Sequence, residues 1–317
     1  MKTFFNNRID FVFDVEKNDE ESGLCQFKIR LHPDRYEWKI LNGETRLYDK
    51  LDNAVFPKNI MEQIRDFINK TPLCIELPDG DVQDIDKYVI SRLDPIRERA
   101  LGKIQEQKYS DKSNEFLESL KDNELEFAII SIDIVSSTAL AQKLVRDTYS
   151  KVIDTFLYEM SAIVPKHHGH ILKYQGDGFI AYFPSPSFIV KNDFAFDCAM
   201  LMRKILIHGI NPVFMELGLP IIGIRIGIES GAASILTIGN EATKRHVDII
   251  GEVVNLAIKI QACADPNGIC VGDIAFRNLY TPRRLMCRQI VPSKGWSYVD
   301  PKGEPYKVFM VILDGKQ

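Results

Sequence analysis

From Phe11 to Leu31 apolar residues take alternate positions (Phe11, Phe13, Val15; then Phe27, Ile29, Leu31), the period of a strand with one covered face. Asn18-Asp19-Glu20 and Asn42-Gly43 punctuate these runs, and Asn-Gly suits a two-residue hairpin turn. The period then changes. Ile60, Ile64, Phe67 and Ile68 recur at helical spacing, as do Val89, Leu93, Ile96, Ala100 and Ile104 between Asp84 and about Glu106. Pro95 inside the second stripe predicts a kink or a fresh start. Phe127–Val135 (FAIISIDIV) is apolar almost throughout, the pattern of a strand covered on both faces, and Asp133 alone breaks it. Ser136-Ser137-Thr138 signals a helix start, and Ile153, Leu157, Met160 and Val164 predict a helix over about 149–167. Ile171–Tyr174 and Phe179–Phe183 flank Gln175-Gly176-Asp177-Gly178 and read as a hairpin. A helix over about 194–206, a strand over 221–228 and a helix over about 252–264 complete the order β-α-β-β-α-β. That order predicts an α+β fold, a ferredoxin-like layer of helices on one sheet, behind a smaller N-terminal α+β domain.

Composition sharpens the division. The 317 residues are 45% hydrophobic and 26% charged, which excludes collagen-like, purely coiled-coil and disordered chains. The charged stretch Lys103–Glu126 separates the two patterns, so the expected organisation is an N-terminal domain over 1–82, a helical linker over 83–123 and a second domain over 124–317. With 40 Lys+Arg against 44 Asp+Glu there is no general polyanion-binding surface, and no nucleic-acid partner is expected. Cys25, Cys74, Cys198, Cys263, Cys270 and Cys287 form no C-x-x-C pair and read as reduced thiols. Arg8 and Asp10 interrupt the first apolar residues, and Ile205–Ile224 carries Glu216, Pro212, Pro220 and three glycines. The expectation is a cytoplasmic protein with no membrane segment.

The chemistry-bearing residues lie in the second half. A carboxylate in so apolar a strand costs several kcal/mol unless it is paired or holds a cation. If the Asp133 strand runs beside the 171–183 hairpin, Asp133 and Asp177 share one site, and open oxygen ligands of this kind suit Mg²⁺ or Mn²⁺ bound together with phosphates. The backbone N–H groups after Val135 can hold phosphate oxygens, although the same serines and threonine serve equally as ordinary caps. His167-His168-Gly169-His170 lacks the spacing of a helical metal pair and reads as a helix end with exposed histidines. Thr243-Lys244-Arg245-His246 reads as a solvated basic loop, or else a flap over phosphates.

The segments FAIISIDIVSSTALAQKL, HHGHILKYQGDGFIAYF, IRIGIESGAAS and HVDIIGEVVNLAIKI, followed by ADPNGICVG, resemble the class III nucleotidyl cyclases over roughly Glu124–Val311. The resemblance implies that Asp133 and Asp177, with the Ile134 carbonyl, hold two Mg²⁺ or Mn²⁺ ions. It implies a phosphate-cradling turn at Val135 to Thr138, including Ser137 and Thr138, and phosphate contacts from Arg225 and Lys302. Lys173 and Asp248 match the positions that read the purine, and this pair implies adenine. Asn255 matches the residue that orients the ribose, and Lys259 stands where the family usually has an arginine that stabilises charge at the α-phosphate. Ser136 replaces a frequent glycine, and Glu229 replaces the histidine of the family's G-I-H-S-G segment. The implied reaction converts ATP to cyclic AMP and pyrophosphate in a homodimer, with the metal aspartates from one subunit and the base-reading and transition-state residues from the other.

Three other readings stand beside this one. Tyr174–Phe179 is faintly similar to the hairpin of diguanylate cyclases, but VVNLAIKI and Asp248 argue against that family. A pyrimidine nucleotide cyclase of the bacterial antiphage type uses the same metals with a different base pocket. A non-catalytic nucleotide-binding regulator is the remaining alternative, although such domains usually lose metal aspartates and both are present here.

Overall fold

A computed structural model describes residues 8–19, 24–70, 84–103, 112–184, 190–240, 244–292 and 295–313. Glu20, Cys74, Ile104 and Thr243, the 82/83 boundary, and the side chains of Val15, Cys25, Phe27, Phe67 and Ile68 lie outside what is described. The chain divides into two units, residues 1–79 with 280–282, and residues 80–279 with 283–317.

In the first unit β1 (Phe11–Asp19) pairs antiparallel with β2 (Leu24–Leu31), and β3 (Tyr36–Leu41), β4 (Glu44–Asp49) and β5 (Ala54–Val55) form a second small sheet ahead of α1 (Ile60–Lys70). Asn42 and Gly43, at φ 52° and 78°, make the two-residue turn that the Asn-Gly dipeptide predicts. The apolar centre is small: Tyr36, Leu47, Ile60 and Ile64. Beside it lies a fully buried Arg35 whose guanidinium meets Asp10 at 3.1 Å, Asp49 at 2.9 Å and Asp52 at 2.9 Å. Removing Arg35 would leave buried carboxylates with no shared cation between them, so such a network is far costlier to break than to lack.

The second unit opens with α2 (Ile85–Ala100), capped by Asp84, which accepts the Lys87 N–H at 3.0 Å. α2 does not restart at Pro95 but continues past it as one helix, with Val89 and Ile96 on either side entering one core, packing that offsets the lost hydrogen bond. Next come α3 (Lys112–Ser119), β6 (Glu124–Ile134), α4 (Ser137–Lys143) and α5 (Arg146–Ile163), the last extended by a 3₁₀ turn to His167. His168, at φ 58°, ends that turn. β7 (His170–Gln175) and β8 (Gly178–Pro184) form the hairpin, followed by α6 (Val190–Ile205), a π turn and α7 (Asn211–Glu216). β9 (Ile224–Asn240), β10 (Lys244–Ile250), α8 (Glu252–Gln261), β11 (Gly268–Gly272), α9 (Asp273–Arg277), α10 (Thr281–Leu285), β12 (Cys287–Ile290) and β13 (Val308–Val311) complete the chain.

The strands order β12-β13-β11-β9-β6-β8-β7, with β10 added to the far half of β9. The four at one end of the sheet, β9-β6-β8-β7, are antiparallel and have the order 4-1-3-2 of a ferredoxin-like unit. Both faces of β6 are covered. Ala128, Ile130, Ile132 and Ile134 share a core with α2, α5 and α6, while Phe127 and Ile129 share one with Ile180, Tyr182, Val247, Ile249 and Val253. This explains the unbroken apolar run and leaves Asp133 at its end.

Three further expectations differ from the structure. The strand expected over 221–228 starts at Ile224 and continues to Asn240, and Lys244, Arg245 and His246 are not a loop but the start of β10, with Arg245 opposite Gly239. Local polarity concealed a ladder whose apolar face is Val247 and Ile249. The histidines are also less exposed than expected, since His170 stacks between Phe116 (4.4 Å) and Tyr182 (5.2 Å).

Candidate active site

Asp133 stands opposite Gly178 of β8 on one side and Arg225 of β9 on the other. Asp177 precedes Gly178, so the hairpin delivers the second carboxylate to the first. A side chain at Gly178 would put its Cβ 2.0 Å from the Ile132 carbonyl, so only glycine lets β8 lie this close. Gly176 supplies the positive φ, 62°, that the tight turn needs.

Electrostatically the pair is unfinished. Burial, then the Asp177 charge, push the Asp133 carboxyl above the ordinary carboxylate range, against hydrogen bonding from Gln261 and the Arg225 charge. Asp133 Oδ1 is buried with no hydrogen-bond partner, and so is Arg225 Nε. A buried acceptor and a buried donor, each unused, suit a bound cation and a bound phosphate. The register with β8 ends at Asp133, so Ile134 has no residue opposite it there. Among the described residues no three His, Cys, Asp or Glu side chains group to hold a metal. Two carboxylates and a carbonyl therefore fit hard cations that keep water and phosphate oxygens as further ligands.

Beyond Ile134 the chain turns sharply. Ser136 is left-handed (φ 56°, ψ 34°) and makes no side-chain cap bond, so the ordinary capping expected of it is not made. A left-handed non-glycine residue costs about 1–2 kcal/mol, which is why glycine suits this position. Ser137 and Thr138 open α4, half-buried and exposed respectively.

A second group forms elsewhere on the sheet. Lys173 lies opposite Ile180, itself opposite Ser131, which places Lys173 two strands from Asp133. Its Nζ meets Asp248 Oδ2 at 2.7 Å, bringing together residues 75 positions apart. Asp248 is 6% exposed, and its Oδ1 accepts the Ile249 N–H at 2.9 Å. Lysine keeps two further donors and the carboxylate further lone pairs, so the paired side chains still present a donor-acceptor edge.

Asn255 and Lys259 stand four apart on α8 and are exposed, whereas Val253, Val254, Leu256, Ala257, Ile260 and Gln261 are buried. The buried arc faces the sheet: a Cβ on Gly227 would lie 2.3 Å from the Gln261 nitrogen, and the Ser131 hydroxyl bonds to Gln261 Oε1. Asn255 and Lys259 therefore point away from the sheet across a helix about 10 Å thick, about 9 Å and about 3 Å back along its axis from Gln261 respectively. One chain does not turn them toward its own Asp133. Lys302 is exposed at the tip of a hairpin over 298–306, and neighbouring Asp300 lines a cavity with Glu252 and Leu256 of α8.

The model for the Adenylate and Guanylate cyclase catalytic domain matches residues 121–311, more than half of the chain. The chain belongs to this family. The cyclase domain is 27% identical over 167 residues to an adenylate cyclase of Anabaena cylindrica, an alignment covering 51% of this chain and 32% of that relative. The chain thus spans about a third of that relative's length. Among solved structures it resembles the adenylyl cyclase CyaB from P. aeruginosa, 24% identical, TM-score 0.52, covering 62% of this chain and 97% of that one. A guanylyl cyclase structure is equally similar, 22% identical, TM-score 0.51, covering 60% and 93%. These likenesses show the fold, and the fold alone does not select the base. Among the described residues no helix is long and apolar enough to cross a membrane.

Proposed function

We propose that the chain is a nucleotidyl cyclase that forms 3′,5′-cyclic AMP and pyrophosphate from ATP in the cytoplasm, as a homodimer with shared sites. The observation that carries this reading is the meeting of Asp133 and Asp177 at the ends of adjacent strands, with a buried Asp133 oxygen left unused beside an equally unused Arg225 nitrogen. Asp133, Asp177 and the Ile134 carbonyl would hold two divalent cations. Bound there, Mg²⁺ or Mn²⁺ lowers the effective pKa of the ribose 3′-hydroxyl and offsets charge on the pyrophosphate.

Every other part is played by the chain's own groups. Arg225 and the turn with Ser137 and Thr138 bind phosphate oxygens, and Lys302 grips the terminal phosphates. Lys173 donates to the adenine N1 edge while Asp248 accepts from the exocyclic amine, a polarity that guanine reverses. Asn255 orients the ribose. Lys259 offsets negative charge that builds at the α-phosphate, as a point charge rather than a bidentate fork. Because Asn255 and Lys259 face away from Asp133 of the same chain, the partner's Asn255 and the partner's Lys259 close each site, which supports the dimer.

The test is incubation of the purified protein with each of the four nucleoside triphosphates and Mn²⁺, followed by chromatography. Cyclic AMP as main product is the expected result. Cyclic UMP or CMP would move the assignment to a pyrimidine cyclase, and no cyclic product from any nucleotide would leave a non-catalytic nucleotide-binding regulator.

A further inference from the structure

Glu229 plays no part in the proposed chemistry, yet it is 1% exposed in the middle of β9, opposite Ile129 of the central strand. Three donors converge on it. Oε1 accepts Ser230 N–H at 2.7 Å and Ala275 N–H at 3.1 Å, and Oε2 accepts the Tyr306 hydroxyl at 2.8 Å. The Tyr306 oxygen in turn accepts Ile274 N–H at 3.1 Å. Tyr306 is the foot of the 298–306 hairpin: its N–H bonds to the Tyr298 carbonyl at 2.9 Å, Val299 bridges Pro305, and Asp300 N–H bonds to the Glu304 carbonyl at 2.7 Å. At the tip, Asp300 Oδ1 accepts N–H groups from Lys302 at 2.8 Å and Glu304 at 3.0 Å. Successive hydrogen bonds, linked through the hairpin's own backbone, thus tie the central sheet to the turn that holds Lys302.

We infer that Glu229 is a positioning residue for Lys302, anchoring through Tyr306 the foot of the hairpin whose tip presents this lysine. The inference rests on the cyclase reading, in which Lys302 binds the terminal phosphates. A carboxylate is required because the donors approach both of its oxygens. Glutamine keeps the size and the two backbone contacts but turns an amide N–H toward a hydroxyl that already accepts Ile274 N–H. Protonation does the same. Burial pushes the Glu229 carboxyl up to about 7, and the groups facing it are Tyr306, the Ser230 and Ala275 amides, and Asp273 of α9, itself paired with Arg277.

The experiment is steady-state kinetics with ATP and Mn²⁺ on the full chain and on Glu229→Gln, Tyr306→Phe, Lys302→Ala and the Glu229→Gln/Lys302→Ala double variant. Each of the first two is expected to raise KM about tenfold with a smaller loss of kcat. The double variant is expected to be no worse than Lys302→Ala alone. Wild-type KM should rise as pH falls from about 8 to about 6, and the Glu229→Gln profile should stay flat. Hydrogen exchange supplies an activity-independent readout: residues 298–306 should exchange faster in Glu229→Gln while β6 stays protected. Unchanged hairpin exchange, or KM effects that multiply in the double variant, would overturn the inference. So would an unchanged KM in Lys302→Ala with wild type active, which leaves the cyclase reading standing. A wild type that forms no cyclic product sinks the cyclase reading itself and with it the role given to Lys302.

Discussion

The two halves of the site are built on opposite electrostatic plans. Around Asp133 the groups are crowded and unsatisfied: burial and the Asp177 charge make its ionisation costly, and an acceptor and a donor are buried without partners. Around Lys173 and Asp248 the charges neutralise one another at 2.7 Å, and Asn255 and Lys259 stand in solvent on the outer side of α8. The first half is costly until ions and phosphates arrive. The second is comfortable alone and needs only a surface to face. A cleft made by joining these halves across two chains loads its strain on the metal side and its selectivity on the other.

Removing the crowded half has the largest expected effect. Asp133→Ala and Asp177→Ala should each lower turnover by roughly 10³-fold or more while the circular dichroism spectrum stays native. Retained activity in either would end the metal assignment. If the halves come from different chains, mixing inactive Asp133→Ala with inactive Asn255→Ala should restore roughly a quarter of wild-type activity, since random pairing leaves one good site in half of the dimers. Demonstrated heterodimers with no recovery would refute the division. Asp248→Ala strikes the comfortable half and should raise KM for ATP about 10- to 100-fold, with a weaker ATP preference over GTP. An unchanged nucleotide preference would dismiss the base-reading role.

Smaller effects separate strain from chemistry. Because burial and the Asp177 charge raise the Asp133 pKa in the folded state, its ionisation costs stability above that raised pKa, and the cost fades as acid protonates the group. Without divalent ions Asp133→Asn should therefore melt a few degrees above wild type at neutral pH, and the gap should close below the ordinary carboxylate range. Added Mn²⁺ should raise the wild-type melting temperature and leave the variant's unmoved. The least change is expected of Lys259→Arg, with turnover kept or raised a few-fold, and a collapse would give the lysine a role of its own.

How much of this could be read in advance depended on how local its cause is. β6 was legible because burial on both faces writes one apolar run, and the hairpin at 175–178 because a glycine turn is a contiguous signal. The helix α8 was expected over about 252–264 and spans Glu252–Gln261, and the resemblance singled out the residues of both halves. β10 was hidden behind Lys244-Arg245-His246, since its partner is the far half of a strand whose length the sequence pattern understates. Arg35 offered no sign that Asp10, Asp49 and Asp52 would close around it, because nothing nearby in the chain marks such a meeting. Glu229 was visible only as a departure from a motif, and its three donors come from three separate stretches.

Gly227 sets the height at which α8 rides over the sheet, because the helix backbone rests directly on it. Even one methyl there would prise the helix outward, carrying Asn255 and Lys259 to the wrong level for the second chain of the proposed homodimer. An inactivating lesion can thus arise at a position that touches neither nucleotide nor neighbouring subunit, and its signature would be a well-folded protein whose paired assembly no longer meshes.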